Sequence, residues 1–191
     1  MSIPPRDIFA AEARRAIEMH DEWDSPHCFV TLHWDGQKLT AGTYACIMPD
    51  IHPNDYPGYM IKLAREDWER DPENPAYAYL LQIEAFGRLA EPGPEASAAE
   101  LAQYHQDRLG RTFHQRADAE ELATAWCADI HGRLWAATKR RSKPGEITEK
   151  FYPPGDPKGT PGGQMIRGLL AVAHGMGMMA HGLAGPPWMA N

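Results

Sequence analysis

The sequence predicts an α+β protein in which helices pack on one five-stranded, mainly antiparallel sheet. Several short segments alternate between apolar and polar residues, as strands do when one face is more buried than the other. Other segments repeat apolar residues at intervals of three and four, which is typical of amphipathic helices. The predicted order is helix, hairpin, helix, strand, inserted helix, hairpin, helix. The chain has 191 residues, and we expect a single domain over 1–191.

The first predicted elements are a helix over residues 7–21 and a hairpin. The segment HCFVTLHW, residues 27–34, alternates along its whole length, so neighbouring side chains point to opposite faces. Asp35-Gly36 follows, and this dipeptide is the strongest short signal for a hairpin turn. The returning strand is expected over residues 38–48.

A helix, a strand and an inserted helix come next. Residues 56–70, YPGYMIKLAREDWER, have helical spacing. Residues 77–87, YAYLLQIEAFG, predict a strand whose two faces are both at least half covered. The inserted helix is expected over 97–110, where Ser97 and Glu100 form a capping box.

The remainder of the chain is less clearly patterned. Asp118 and Glu121 would form a capping box, which favours a short helical turn over 118–122, followed by two strands that turn at His131-Gly132. A helix through 118–130 is the alternative. Residues 142–163 are rich in Gly and Pro and predict a loop-rich connector. A final, largely apolar helix is expected over 163–180.

Charge and composition disfavour several classes of protein. The formal net charge is -7, whereas proteins that bind the nucleic acid backbone are more often basic. The most apolar stretch, 164–183, includes Arg167, His174 and His181, which favours a buried helix over a membrane span. The N-terminus lacks the apolar core of a signal peptide. The three cysteines show no paired spacing, so we expect reduced thiols and a cytoplasmic protein.

The segment PDIHPNDYP, residues 49–57, is the first candidate site. It offers Asp50, His52 and Asp55 within six residues, and divalent metals use such ligands. The competing interpretation is structural: the prolines fix a turn, and Asn54 or Asp55 caps the next helix. His52 is the one side chain that this interpretation leaves without a role.

A second candidate is a cluster on a face of the sheet. Alternation places His27 and His33 on one side of the first strand, Gln82 and Glu84 on one side of the third, and Asp129 and His131 on one side of the later hairpin. If strand pairing brings these sides together, the cluster could bind a metal or perform acid–base chemistry. The alternative is that these groups satisfy buried backbone or one another. No metal site is assigned, and no cofactor is indicated.

The basic segment TKRRSK, residues 138–143, is the third candidate. Lys139, Arg140 and Arg141 could hold a phosphate group or an acidic partner. A solvated strand end is the alternative, since alternation separates Arg140 from the other two.

The phrases DEWDSPHCFVTLHWDG, TYACIMPDIHP and ADIHGRLWAATK resemble uncharacterised proteins of actinobacteria and their phages, and this resemblance implies no activity. The order of the elements resembles that of the roadblock, profilin and PAS-like group, which implies a fold but no function. Our first hypothesis is a non-enzymatic intracellular binding or regulatory domain that self-associates or has a protein partner. The rivals are a small metal-dependent or acid–base enzyme and a phosphate or nucleotide binder.

Overall fold

The computed structural model describes residues 4–47, 51–52, 54–87, 95–110, 115, 119–155 and 164–183. In chain order, the elements are α1 (Arg6–Glu18), β1 (His27–Trp34), β2 (Leu39–Ile47), α2 (Tyr56–Arg70), β3 (Ala78–Gly87), α3 (Ala98–Gly110), β4 (Glu120–Asp129), β5 (Leu134–Arg140), β6 (Lys143–Tyr152) and α4 (Gln164–Ala171). The helix α4 continues as a π-helical segment, Val172–Gly177, and ends in α5, Met178–Ala180. Within these ranges, no helix is long and apolar enough to cross a membrane.

The strands form one antiparallel sheet in the order β2-β1-β3-β4-β5-β6. The α+β class and the single antiparallel sheet are thus confirmed, but the expected number of strands was wrong. The sixth strand, β6, lies inside the predicted 142–163 connector. Pro144 and Gly145 suggested a loop. Among the described residues, however, β6 is the edge strand beside β5, and an edge strand tolerates both residues.

The predicted helical turn over 118–122 is also wrong from residue 120 onward. Glu120 already begins β4, and Glu121 pairs across the sheet with Phe86. The other half of the supposed capping box, Asp118, lies outside the described residues. Pairing with the long β3 overrides the local capping signal. By contrast, the capping box of α3 is present: Glu100 N–H donates to Ser97 Oγ, and Ser97 N–H donates to Glu100 Oε2.

Each face of the sheet has its own core. On one face, which we call the α1 face, Phe9 and Ile17 pack on Tyr77 and Trp135. On the opposite face, the α2 face, α2 and α4 cover the sheet, and the buried residues include Phe29, Met60, Leu81 and Leu169. The strand β3 contributes to both cores, in accord with the expectation that its two faces are covered.

The hairpin of β1 and β2 contains a β-bulge. Trp34 pairs with Leu39 and Leu32 with Ala41, but Val30 pairs with Tyr44, so the register shifts by one residue. Two residues of β2, Gly42 and Thr43, therefore lie opposite a single residue of β1. Because side chains alternate between faces, this one-residue shift moves every side chain of β2 after the bulge to the face opposite to that expected from an unbroken ladder.

Candidate functional site

A cleft of about 670 Å³ opens on the α1 face, beside the C-terminal turns of α1. The helix α1 packs mainly on β4 and β5, while β1 and β2 extend beyond it as the other edge of the sheet. The space between the helix and these two strands is the cleft.

The strand register supplies the floor of the cleft. Cys28 pairs with Cys46 on one side and with Gln82 on the other, so all three side chains share the α1 face. The rest of the floor is mainly apolar and comprises Val30, Leu32, Ala41, Tyr44 and Leu80. A predominantly apolar floor with a few polar groups is the usual composition of a small-molecule site.

Glu84 anchors the segment after α1 that forms one wall of the cleft. Its carboxylate accepts hydrogen bonds from the backbone N–H groups of Asp24 and Ser25, and its Oε1 lies 2.8 Å from His20 Nε2. Lys139 donates to the carbonyl oxygen of His20. These contacts fasten the segment after α1 to the sheet. The other ring nitrogen of His20, Nδ1, is buried and has no hydrogen-bond partner among the described residues.

Two thiols and a phenol meet on the floor. Cys28 Sγ lies 2.9 Å from Tyr44 Oη and 3.9 Å from Cys46 Sγ. Burial, together with the neighbouring Cys46, raises the pKa of the Cys28 thiol, although the hydrogen bond with Tyr44 opposes this. The hydrogen bond with Cys28 and burial raise the pKa of Tyr44. A thiol with a raised pKa stays protonated at neutral pH and is a poor nucleophile.

The predicted histidine–carboxylate cluster is not assembled. His27 and His33 share a face as alternation predicts, but it is the α2 face, whereas Glu84 points to the α1 face with His20. Cys28 pairs with Gln82, so Gln82 and Glu84 of β3 lie on the same face of the sheet as Cys28 of β1. The register of the β1–β3 pair therefore places His27 and His33 on the face opposite to Glu84.

His33 instead forms a buried ion pair with Asp67 of α2. Nε2 of His33 lies 3.0 Å from Asp67 Oδ2, and Nδ1 donates to the carbonyl oxygen of Asn74. A carboxylate beside one ring nitrogen and a carbonyl oxygen beside the other favour the doubly protonated ring. Asp67 accordingly raises the pKa of His33. Burial of Asp67 opposes its ionisation, yet hydrogen bonds from His33 and Thr43 lower the pKa of Asp67 to about 2.

His27 is likewise engaged in structural contacts. Its Nδ1 lies 2.7 Å from Tyr56 Oη, and its Nε2 lies 3.2 Å from the main-chain oxygen of Glu84. Burial lowers the pKa of His27, which favours the neutral ring. It joins the start of α2 to the sheet and does not touch the Glu84 carboxylate.

Asp129 and His131 lie at the turn between β4 and β5, and each has its own partner. Asp129 is fully buried and pairs with Arg133, and it also accepts the backbone N–H groups of His131 and Arg133. Burial raises the pKa of Asp129, and Arg133 opposes that rise. His131 Nε2 lies 2.7 Å from Tyr77 Oη. The carboxylate therefore shapes the turn.

His52 has a structural role that the sequence did not suggest. Its Nδ1 accepts a hydrogen bond from Asn54 N–H, and its carbonyl oxygen accepts one from Asp55 N–H. Asp55 is the N-cap residue of α2, as expected, but its side chain makes no capping hydrogen bond. Pro57 lies in the first turn, as expected. Asp50 lies outside the described residues.

The three basic candidates all have protein partners. Lys139 is buried against the carbonyl oxygen of His20, Arg140 pairs with Glu146, and Arg141 pairs with Glu121 and Asp24. The two arginines have carboxylates within reach, and this leaves the segment poorly suited to bind a phosphate group.

Within the described ranges, one group of side chains has carboxylate oxygens close enough to share a cation: Asp24, Glu84 and Glu121. Arg141 already bridges Asp24 and Glu121, and Glu84 is occupied by backbone donors. The carboxylates that a cation would need are therefore already engaged by groups of the protein itself.

Sequence reasoning missed His20, Tyr44 and the pairing of Cys28 with Cys46. If the register next to the Asp35-Gly36 turn continued without a bulge, Cys28 would pair with Ala45 and Cys46 would lie on the α2 face. The glycine in β2 was the available signal, since an isolated glycine in a strand often marks a bulge.

No protein-family model, curated protein or solved structure matches the chain. The resemblance to uncharacterised proteins of actinobacteria and their phages therefore remains an expectation.

Proposed function

We propose that the protein is a non-enzymatic binding domain that takes a small, largely apolar ligand in the cleft between α1 and the β1–β2 hairpin. The observation that carries this proposal is the cleft itself. Its volume of about 670 Å³ falls in the range of ~300–1,000 Å³ that is usual for ligand pockets. Its floor is apolar, and Gln82, Ser25 and Tyr44 supply polar groups that could orient a ligand.

Binding is favoured over catalysis because the groups that could act as acid or base are occupied elsewhere. His33 is held by Asp67, and His27 by Tyr56. Within the cleft, His20 is fixed by Glu84, and the thiol of Cys28 is not activated. A general base must reach the proton that it removes, and these side chains are turned toward structural partners.

The cytoplasm is the location that we propose, because Cys28 and Cys46 face each other as free thiols. A pair of thiols this close persists most readily in a reducing compartment.

The ligand proposal is tested with the neutral apolar dye Nile red, whose fluorescence rises in an apolar site. Ala41 lines the cleft and is exposed, so Ala41→Trp should fill the cleft at little cost to folding and abolish the signal. The matched control is Thr40→Trp, since the neighbouring side chain points to the opposite face. Equal dye binding by the parent protein and Ala41→Trp would refute the proposal.

A second candidate function, self-association, is favoured by the edge strand β2. This strand, LTAGTYACI, has no charged residue, lies at the edge of the sheet that the described residues form and is exposed over most of its length. The opposite edge, β6, carries Lys143, Pro144, Glu146, Glu149 and Lys150, which are the residues that discourage edge-to-edge pairing. We propose that two copies pair through β2, with the bulge limiting the contact to short segments on either side of it.

The test of self-association places a charge on each edge in turn. Thr40→Lys on β2 should convert a dimer to a monomer in size-exclusion chromatography with light scattering. Thr148→Lys, at an exposed position of β6, should leave the dimer intact. A parent protein that is monomeric at all concentrations would eliminate this candidate without affecting the dye experiment.

A further inference from the structure

The two cysteines of the β1–β2 hairpin form a dithiol in the floor of the cleft. Cys28 is 7% exposed and Cys46 is exposed, and their sulfur atoms are 3.9 Å apart. They lie directly opposite each other only because of the bulge, which moves Cys46 to the α1 face. The strand register therefore places two soft ligand atoms side by side.

The separation of the sulfur atoms matches the spacing of two thiolates on one metal ion. With Zn–S bonds of about 2.3 Å and tetrahedral angles, two thiolates on one zinc ion lie about 3.8 Å apart. A disulfide bond would require the same atoms to close to about 2 Å. The side chains thus already have the spacing that a shared cation needs.

Tyr44 supplies a third donor atom. Its Oη lies 2.9 Å from Cys28 Sγ, and the residue is 65% exposed. Exposed Cys46 and Tyr44 give a cation a path from solvent to the buried sulfur. A remaining coordination position would face the cleft, where water or a ligand could occupy it.

The charges around the cleft favour a cation. Glu12, Asp21 and Glu22 line it, against one arginine, Arg15. The whole chain has a formal net charge of -7. Arg15 pairs with Glu12, so the lining keeps a net negative charge from Asp21 and Glu22, and such a cleft concentrates cations.

We propose that Cys28 and Cys46, assisted by Tyr44, bind a soft metal cation of the class of Cu⁺, Zn²⁺ and Cd²⁺. Thiolates select such ions over Mg²⁺ and Ca²⁺. Each thiol releases its proton to solvent as its sulfur–metal bond forms, and the step needs no oxidant or reductant. The site does not depend on the cleft's binding an organic ligand.

The experiment titrates reduced, metal-free protein with Cd²⁺ and follows the ultraviolet charge-transfer band of cadmium–thiolate bonds, with native mass spectrometry for stoichiometry. We expect one ion per chain and competition by Zn²⁺ but not by Mg²⁺. Cys46→Ser and Cys28→Ser should each lose the tight binding, and Tyr44→Phe should weaken it roughly tenfold. Cys127→Ala is the control, because Cys127 is fully buried away from the cleft and should not contribute.

Two results would overturn the proposal. One is Cd²⁺ binding by the Cys28→Ser/Cys46→Ser variant as tight as by the parent protein, which would assign the ion to other side chains. The other is the absence of a charge-transfer band in fully reduced parent protein, even if a separate air-oxidised sample shows that the two cysteines can be joined. Circular dichroism confirms folding of each variant, and Nile red uptake by Cys46→Ser separates failure of this site from failure of the ligand cleft.

Discussion

Gly42 is the residue that leaves space for the ion pair between His33 and Asp67. A Cβ atom at this position would lie 2.2 Å from His33 Nε2 and 2.7 Å from Thr31 Oγ1. These are parts of a buried network that cannot move without breaking its hydrogen bonds. We therefore predict that Gly42→Ala lowers the free energy of unfolding by about 1–3 kcal/mol, measured by urea denaturation.

Gly145 provides the matched control, because it also lies in an edge strand, and a Cβ atom there would meet nothing within 4 Å. Gly145→Ala should change the free energy of unfolding by less than about 1 kcal/mol, or raise it slightly. If the two substitutions cost the same, the loss at Gly42 would reflect strand propensity and not the crowding of His33.

At the residue scale, the sequence predicts which side chains share a strand face but not which faces meet. Alternation correctly places His27 and His33 together. It cannot tell that they face Tyr56 and Asp67 of α2, because that depends on the side of the sheet on which α2 packs. The role of His52 was also not predictable, because no sequence signature marks the local turn in which its Nδ1 accepts the Asn54 N–H.

The π-helical segment Val172–Gly177 packs closely against the sheet through Gly177. A Cβ atom there would lie 2.5 Å from Ile130 Cγ2 and 3.2 Å from the ring of Tyr79. Both partners are buried in the core. We predict that Gly177→Ala lowers the free energy of unfolding by about 1–3 kcal/mol, because overpacking outweighs the better helix propensity of alanine.

Gly58 of α2 is the control within a helix. It is exposed, and a Cβ atom there would meet nothing within 4 Å, so Gly58→Ala should raise the free energy of unfolding by about 0.4–1 kcal/mol. Thermal and urea unfolding measure both variants. A stabilising Gly177→Ala would show that the helix can move away from Ile130 without cost.

At the element scale, strongly periodic segments are predicted well and irregular ones are not. The bounds of β1 and α2 agree with the sequence analysis, because alternation and helical spacing run through their whole length. The strand β6 was missed since its pairing with β5, and not its own composition, makes it a strand. The bulge in β2 was missed although Gly42 is a sequence signal for one, and with it the dithiol and the cleft floor were missed.

Across the whole molecule, the ion pair and the cleft lie on opposite faces of the same hairpin. His33 and Asp67 hold β1 and β2 against α2 on one face, while Cys28, Cys46 and Tyr44 form the cleft floor on the other. Thr43, one of the two residues of the bulge, donates to Asp67 through both its backbone N–H and its hydroxyl group. Breaking the ion pair should therefore also change the shape of the cleft.

This arrangement predicts a pH-dependent contribution to stability. The raised pKa of His33 means that its contribution is complete below the unfolded value of about 6.5 and is lost as pH rises through the folded value. The pKa of Asp67, lowered to about 2, makes its contribution complete above the unfolded value of about 3.9, and this is lost as pH falls toward 2. The pair is therefore at full strength between about pH 4.5 and 6.5.

His33→Gln should lower the free energy of unfolding by roughly 3 kcal/mol in that window, because it leaves the buried carboxylate with only its other donors. The difference from the parent protein should shrink steadily above about pH 6.5, as His33 of the parent loses its charge. His27, His174 and His181 are partly buried, and burial lowers the pKa of each. All three are present in both proteins, so their effect largely cancels in the difference. Urea denaturation of both proteins from about pH 5 to 9 measures it. A difference that stays constant over this range would show that folding does not raise the pKa of His33. Asp67 would then be held by its other partners, which include Thr43 and Arg70.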